Sequence, residues 1–403
     1  MFESRAAHVR EVCRTENKLV PENLATSNVP GRMYIEPRHG ILYCPVEKVA
    51  STLWKNTLTA IQNYDRFKSP FQVKLFSTTK LYSVQEYFQR HPSFDINEMN
   101  KDADSLLVVR DPYRRLFSAY LDKLYHPNWL FWKRYGEMIK LEIRKYKNPN
   151  SNLVCGNDIT FPEFVEFVVQ NFETQHIALD PHFTSIHAHC DPCRTHFKYI
   201  VKTETLKNDY SFIMDKWMHK FRLNLTNYKD FEVESVLDRI NTHVRISFST
   251  MRDYGTKCNI PAYVFHERTW RYFQLNGVIP MDAKLPFARD MSGFQVSMEE
   301  YEKAITKEYV KTRRDPETTR QKERALVLAY SAISDENMAR LKQAFSHDCI
   351  YFGYNCNPPT LVGLNTSITA SEDQTERLNT LLLPNTWFFL SKTLDTYVYD
   401  YGI

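Results

Sequence analysis

Glycine is scarce in this 403-residue chain, only 10 residues. That scarcity excludes collagen-like repeats, glycine-rich linkers and the G-x-x-x-x-G-K-[ST] loop of nucleotide triphosphatases. Long apolar runs are missing too. The best, Ala325 to Ala332 and Trp387 to Leu390, fall far short of the eighteen or so residues a membrane span needs. Met1 to Arg14 is charged throughout and lacks the apolar centre of a signal peptide. Nor is there much excess of one charge: 52 Lys and Arg face 48 Asp and Glu, a net +4, so net charge makes no case for nucleic acid. What is present is an average globular composition, 43% hydrophobic and 25% charged, with 24 Tyr and 26 Phe to fill a core. The length suits two or three domains, or one large α/β domain with insertions.

Strands alternating with helices favour the single α/β domain with a parallel sheet. Gly40 to Val46 is an apolar, strand-like run, and after a loop from Glu47 to Ser51 the residues Trp54, Leu58 and Ile61 recur as one helix face. Ser105 to Val109 repeats the layout. Arg110 and Asp111 follow, then Pro112 and a helix carrying Leu116, Phe117, Tyr120, Leu121 and Leu124, with Asp111 placed to cap it. A helix from Thr160, with Glu163 completing a capping box, precedes a loop rich in His and Cys and a third strand, Phe197 to Val201. Residues 225–325 are mixed, charged and interrupted by prolines, and read as an insertion or subdomain. Helix resumes from Ala325 through Ser334 towards Phe345. The expected divisions are a stem-like segment over 1–39, the main domain over 40–356 and a tail over 357–403.

Two of these strand ends carry phosphate chemistry. The loop bearing Lys48, Ser51 and Thr52 opens into a helix, so backbone N–H groups, the helix N-terminus, an ammonium and two hydroxyls converge there. The second strand ends in Arg110, where ligands bind in open α/β sheets. Ser118 follows on the next helix, on the same side as Arg114. An arginine fork with a hydroxyl behind it suits a phosphate monoester.

Cys44-Pro45-Val46-Glu47-Lys48-Val49-Ala50-Ser51-Thr52-Leu53-Trp54-Lys55 resembles the 5′-phosphosulfate loop of the Golgi carbohydrate sulfotransferases, the family of the HNK-1, chondroitin and dermatan enzymes. Val109-Arg110-Asp111-Pro112-Tyr113-Arg114-Arg115-Leu116-Phe117-Ser118-Ala119-Tyr120 resembles its 3′-phosphate segment. Asp180-Pro181-His182-Phe183 leading to Cys190-Asp191-Pro192-Cys193, Lys202-Thr203-Glu204-Thr205-Leu206, and Phe352-Gly353-Tyr354 extend the likeness over roughly residues 8 to 210 and 325 to 355. The resemblance implies a P-loop-like sulfotransferase fold: a parallel sheet flanked by helices, with an insertion. It further implies a donor, 3′-phosphoadenosine 5′-phosphosulfate, no metal, a glycan acceptor, and a type II membrane protein of the Golgi, though this chain carries no anchor. Lys48 would hold the phosphosulfate and stabilise the leaving oxygen. Val49, Ala50, Ser51 and Thr52 would hold the same group, and Arg110 and Ser118 the 3′-phosphate. Two residues depart from the family pattern: Glu47 stands where proline is usual, and Phe183 where tryptophan is. Glu47 puts a carboxylate beside a phosphate-binding lysine, which motivates a second reading, a weakly active relative that binds donor or glycan without turnover.

Transfer to a hydroxyl needs a base, and His182 is the candidate, with Glu204 competing. His187, His189, Cys190, Cys193 and His196 form a run that invites zinc. A disulfide is the preferred reading, with Cys13 and Cys155 as possible partners for either cysteine. Eight Cys and two sequons, Asn224-Leu225-Thr226 and Asn365-Thr366-Ser367, point towards an oxidising compartment. Between Arg110 and Lys147 ten Lys and Arg outnumber four Asp and Glu, interleaved with Tyr125, Trp129, Trp132 and Tyr135, a pattern that suits an anionic glycan better than nucleic acid.

Overall fold

A computed structural model describes residues 2–16, 33–73, 81–93, 103–145, 154–174, 179–226, 231–288 and 295–359. The second sequon, Lys147 and nearly all of the expected tail lie outside them. Along the chain run α1 (Phe2–Thr15), β1 (Tyr34–Glu36), β2 (Ile41–Cys44), α2 (Ser51–Gln62), β3 (Tyr82–Ser83), α3 (Val84–Arg90), β4 (Asp104–Val109), α4 (Pro112–Tyr120), α5 (Glu137–Glu142), α6 (Phe161–Thr174), α7 (Ile186–Cys190), β5 (Tyr199–Lys202), α8 (Leu206–Phe221), α9 (Phe231–Thr250), α10 (Ala262–Leu275), α11 (Met298–Thr312), α12 (Pro316–Ser331) and α13 (Asp335–Phe352). No helix among the described residues is long and apolar enough to cross a membrane. The chain divides into two compact units. One comprises Met1–Leu116, Ala178–Asp238 and Lys342–Asn357; the other comprises Phe117–Ile177, Arg239–Leu341 and Pro358–Ile403.

The first unit holds the sheet, in the order β3-β1-β2-β4-β5. β2, β4 and β5 are parallel, as their continuous apolar runs require: every residue of β2 and β4 is buried. β1 and β3 are antiparallel and make the sheet mixed rather than purely parallel. Because Cys44 pairs with Leu107 in a parallel register, the loops after β2 and β4 leave the same end of the sheet side by side. Residues expected as a stem contribute both α1 and β1 to this unit. Arg5 on α1 donates to Asp209 at 2.5 Å, to the Ile200 carbonyl at 2.9 Å and to Thr205 at 3.0 Å.

Disulfides Cys13–Cys193 and Cys44–Cys190 tie α1 and β2 to the loop that carries α7. Four of the five groups in the zinc-like run are thereby accounted for. Cys190 is bonded to Cys44 and Cys193 to Cys13 rather than held as thiolates, His187 Nδ1 meets Asp348 at 2.9 Å, and His189 Nε2 meets the Pro45 carbonyl at 3.1 Å.

The described residues of the second unit are mainly helical, and α9, α10, α11 and the first part of α12 lie in the stretch expected as an insertion. Its capping box forms as the sequence predicts, with Thr160 and Glu163 exchanging bonds at 2.8 and 3.4 Å. The helix expected from Ala325 is two helices, α12 and α13, broken around Ser334. Cys155 and Cys258 are joined, beside a cluster of Trp132, Tyr254 and Phe265. At Gly136 an added Cβ would lie 2.1 Å from the Gly156 carbonyl, so two backbones meet where no side chain fits. Converting both Cys155 and Cys258 to alanine is expected to cost about 2–5 kcal/mol, read as a lower calorimetric midpoint under non-reducing conditions.

The basic, aromatic stretch is not the open face its composition suggests. Trp132, Tyr125 and Tyr135 are core residues, and the Trp132 indole donates to the Leu124 carbonyl at 2.8 Å. Lys140 and Arg144 pair with Asp158 at 2.9 and 2.8 Å, and Lys123 with Asp122 at 3.2 Å. Lys133 and Arg134 stay exposed. In this stretch Tyr125, Trp132 and Tyr135 serve packing, and Lys123, Lys140 and Arg144 serve internal ion pairs.

Candidate functional site

The loop from Pro45 to Ala50 turns without glycine by placing Lys48 at φ 68° and Ala50 at φ 65°, both left-handed. Such angles cost a non-glycine residue of order 1 kcal/mol or more each and persist only where neighbours enforce them. The neighbours are two arginines from the segment after β4. Arg110 donates to the Lys48 carbonyl at 3.1 Å, and Arg115 donates through Nε to the Glu47 carbonyl at 2.9 Å. The two segments identified separately in the sequence are thus fastened together at the end of the sheet.

Arg115 reaches further. Its Nη1 donates to the Thr184 carbonyl and its Nη2 to the Pro181 carbonyl, both at 2.6 Å, so one guanidinium, only 4% exposed, holds the loop and the segment bearing His182. Burial pulls its pKa down to about 10 against the opposing pull of Asp348 and Glu47, which leaves it cationic at neutral pH. Burial likewise lowers Arg110, with Glu204 acting against it.

α2 begins at Ser51 with no side-chain cap and no acidic residue in its first turn. An uncapped N-terminus of a twelve-residue helix, beside a lysine and below a strand end, fits an anion. Ser51 is buried and Thr52 exposed; Val49 is buried, so only its backbone can face a ligand. Lys48, Ala50 and Arg110 are half-buried. Ser118 is half-buried on α4 and belongs to the second unit.

Glu47 does not point away. Its Oε1 accepts from Lys55 Nζ at 2.7 Å, its Oε2 accepts from the Ser51 hydroxyl at 2.8 Å, and that same Oε2 lies 3.9 Å from His182 Nε2. Burial would raise its pKa, but Lys55 and His182, together with the bonds from Lys55 and Ser51, outweigh it and hold the carboxyl down to about 2. A depressed carboxylate contributes stability that is present above its unfolded value and lost as pH falls through the folded one. Glu47→Gln is therefore expected to flatten the acid-side fall in stability between about pH 4.5 and 2, followed by urea unfolding across that window.

His182 is clasped from the other side. Asp180 Oδ1 lies 2.5 Å from Nδ1 and also accepts the His182 backbone N–H at 3.0 Å. Glu204, the competing base, is already engaged: it accepts from the Asp111 backbone at 3.1 Å and from the Tyr354 hydroxyl at 3.0 Å. Lys202 Nζ sits 4.3 Å from the centre of the Tyr354 ring. Asp111 also caps α4, accepting from Arg114 N at 2.9 Å. Asp348, buried on α13, caps α7 by accepting from the backbones of Ile186 at 2.7 Å and His187 at 2.8 Å.

The sulfotransferase family model matches residues 31–266, more than half of the chain and all four segments from the loop to Leu206. Carbohydrate sulfotransferase 11 of Rattus norvegicus is 27% identical over 224 residues, 53% of this chain and 61% of that protein. Carbohydrate sulfotransferase 9 of Homo sapiens is 26% identical over 234 residues, 57% of this chain and 50% of that protein. Carbohydrate sulfotransferase 14 of Danio rerio is 27% identical over 226 residues, 53% of this chain and 57% of that protein. The chain thus spans between 50% and 61% of these relatives' lengths. No solved structure matches.

Proposed function

Since the chain belongs to the sulfotransferase family, we propose that it transfers sulfate from 3′-phosphoadenosine 5′-phosphosulfate to a hydroxyl of a glycan on a P-loop-like site. The observation that carries this is the glycine-free loop whose left-handed Lys48 is fastened by Arg110 ahead of the uncapped start of α2. Lys48, the backbone of Val49 and Ala50, and Ser51 and Thr52 hold the 5′-phosphosulfate; Arg110 and Ser118 take the 3′-phosphate. The acceptor oxygen forms its bond to sulfur as the bond from sulfur to the 5′-phosphate oxygen breaks. That oxygen keeps the electron pair beside Lys48, and the acceptor proton passes to His182. Such chemistry rests on positioning and electrostatics.

The test is transfer of radiolabelled sulfate to desulfated chondroitin, dermatan and neutral N-glycan acceptors. Lys48→Ala is expected to lose about 10²–10³ in turnover. The charged and neutral arms decide whether the acceptor is anionic, the expectation that the buried aromatics no longer support. Tight binding of adenosine 3′,5′-bisphosphate without transfer to any acceptor would favour the second reading, a binding relative, which Glu47's place in the loop motivates.

We place the protein in the Golgi lumen, associated with the membrane. Three disulfides among the described residues suit an oxidising compartment. Asn224 of the first sequon is exposed and open to a glycan. Expression in a secretory host should yield a mobility shift removed by endoglycosidase and absent in Asn224→Gln with Asn365→Gln.

A further inference from the structure

We propose that Glu47 is a positioning residue that trades donor affinity for a better-supported base, an inference that rests on the sulfotransferase reading above. The imidazole of His182 lies between two carboxylates, Asp180 at 2.5 Å from Nδ1 and Glu47 at 3.9 Å from Nε2. Nδ1 donates to Asp180, so Nε2 is the atom that receives the acceptor proton. The imidazolium formed in that step appears beside an ionised Glu47, which supports the positive charge just where it develops. Glu47 is itself fixed: Lys55 at 2.7 Å and Ser51 at 2.8 Å leave its carboxylate little freedom to turn. Tyr43 on β2 and Arg115 on α4 also feel its charge, and Arg115 holds its backbone carbonyl.

The same charge works against the donor. Glu47 precedes Lys48, and its carboxylate takes the Ser51 hydroxyl that opens α2, at the place where a phosphosulfate needs donors and positive potential. An anion entering the loop meets a carboxylate that is ionised at every physiological pH and must win the Ser51 hydroxyl from it. One side chain therefore pushes binding and turnover in opposite directions, a signature that damage to the fold would not imitate.

Glu47→Gln keeps the size and drops the charge. The expected result is adenosine 3′,5′-bisphosphate bound about 3- to 10-fold more tightly in calorimetry, with kcat lower by about tenfold. With one carboxylate fewer, the protonated imidazole is less favoured, so the acid limb of the kcat/KM profile moves to lower pH. Glu47→Asp, which keeps the charge, is expected to recover part of kcat and the position of the limb. Wild-type affinity, rate and acid limb in Glu47→Gln would overturn the inference while leaving the sulfotransferase reading intact. A lower rate together with weaker bisphosphate binding would also overturn it, showing a merely structural role. If the wild type binds no bisphosphate and transfers no sulfate, the reading and the inference fall together.

Discussion

Arg115→Ala is expected to abolish sulfate transfer and to destabilise the protein by about 3–5 kcal/mol, since each buried acceptor left without its charged donor costs about 1–3 kcal/mol. The guanidinium makes three bonds to backbone carbonyls, those of Glu47, Pro181 and Thr184, and it is almost wholly out of water. Alanine would leave all three acceptors without this donor and open a space beneath the loop. The functional loss follows from what the carbonyls belong to. Glu47 precedes Lys48, and Pro181 lies between Asp180 and His182, so the arginine sets the spacing between the lysine and the histidine. Arg115→Lys should recover little, because an ammonium on a flexible stem cannot reproduce a planar fork with fixed exit directions. Urea unfolding and bisphosphate binding, measured on both variants, decide the matter. Wild-type stability and affinity in Arg115→Ala would remove it from the site.

Much of this site was legible in the sequence, and its omissions have a common cause. Apolar runs ending in Lys48 and Arg110 located both ends of the loop pair, and the parallel register of β2 with β4 made them neighbours. Arg115 stood in the segment resembling the 3′-phosphate one and in the basic stretch, but no signal in the sequence assigned it a role of its own. It lies four residues before buried Ala119 on the inward face of α4, and a cation on an apolar face is the signal that would have found it. Asp348 repeats the pattern, falling between Phe345 and Phe352 on the buried side of α13. The stem expected over 1–39 shows the converse. Charge-rich α1 gave little periodicity, yet Ala6, Val9 and Cys13 are buried, and the bond from Cys13 to Cys193 spans 180 positions that no local pattern can relate. Tyr125, Trp132 and Tyr135, expected on an open face and found in the core, escaped for a related reason. Spacing alone does not distinguish a ring that stacks on sugar from one that packs on a neighbouring helix.

The second large effect belongs to His182. Alanine there is expected to reduce kcat by about 10²–10⁴, with bisphosphate affinity changed by no more than a few-fold, because the ring serves the acceptor proton and not the donor. Asp180→Asn should fall most of the way to the same rate. Asp180 accepts both from the ring and from the His182 backbone, and this fixes Nδ1 as the protonated nitrogen. An asparagine amide can donate to Nδ1 instead, which favours the tautomer whose Nε2 already carries a proton and cannot accept another. The two variants should therefore share a low kcat and an unchanged affinity for bisphosphate, and the single-turnover rate measured with saturating donor reads this directly. Glu204 supplies the contrast. It is held by the Asp111 amide and the Tyr354 hydroxyl, so Glu204→Gln should loosen that end of the site while leaving the proton transfer at His182 in place. A His182→Ala enzyme that keeps its rate to within a few-fold, beside a Glu204→Gln enzyme that loses it, would move the base from the loop after Asp180 to the turn between β5 and α8.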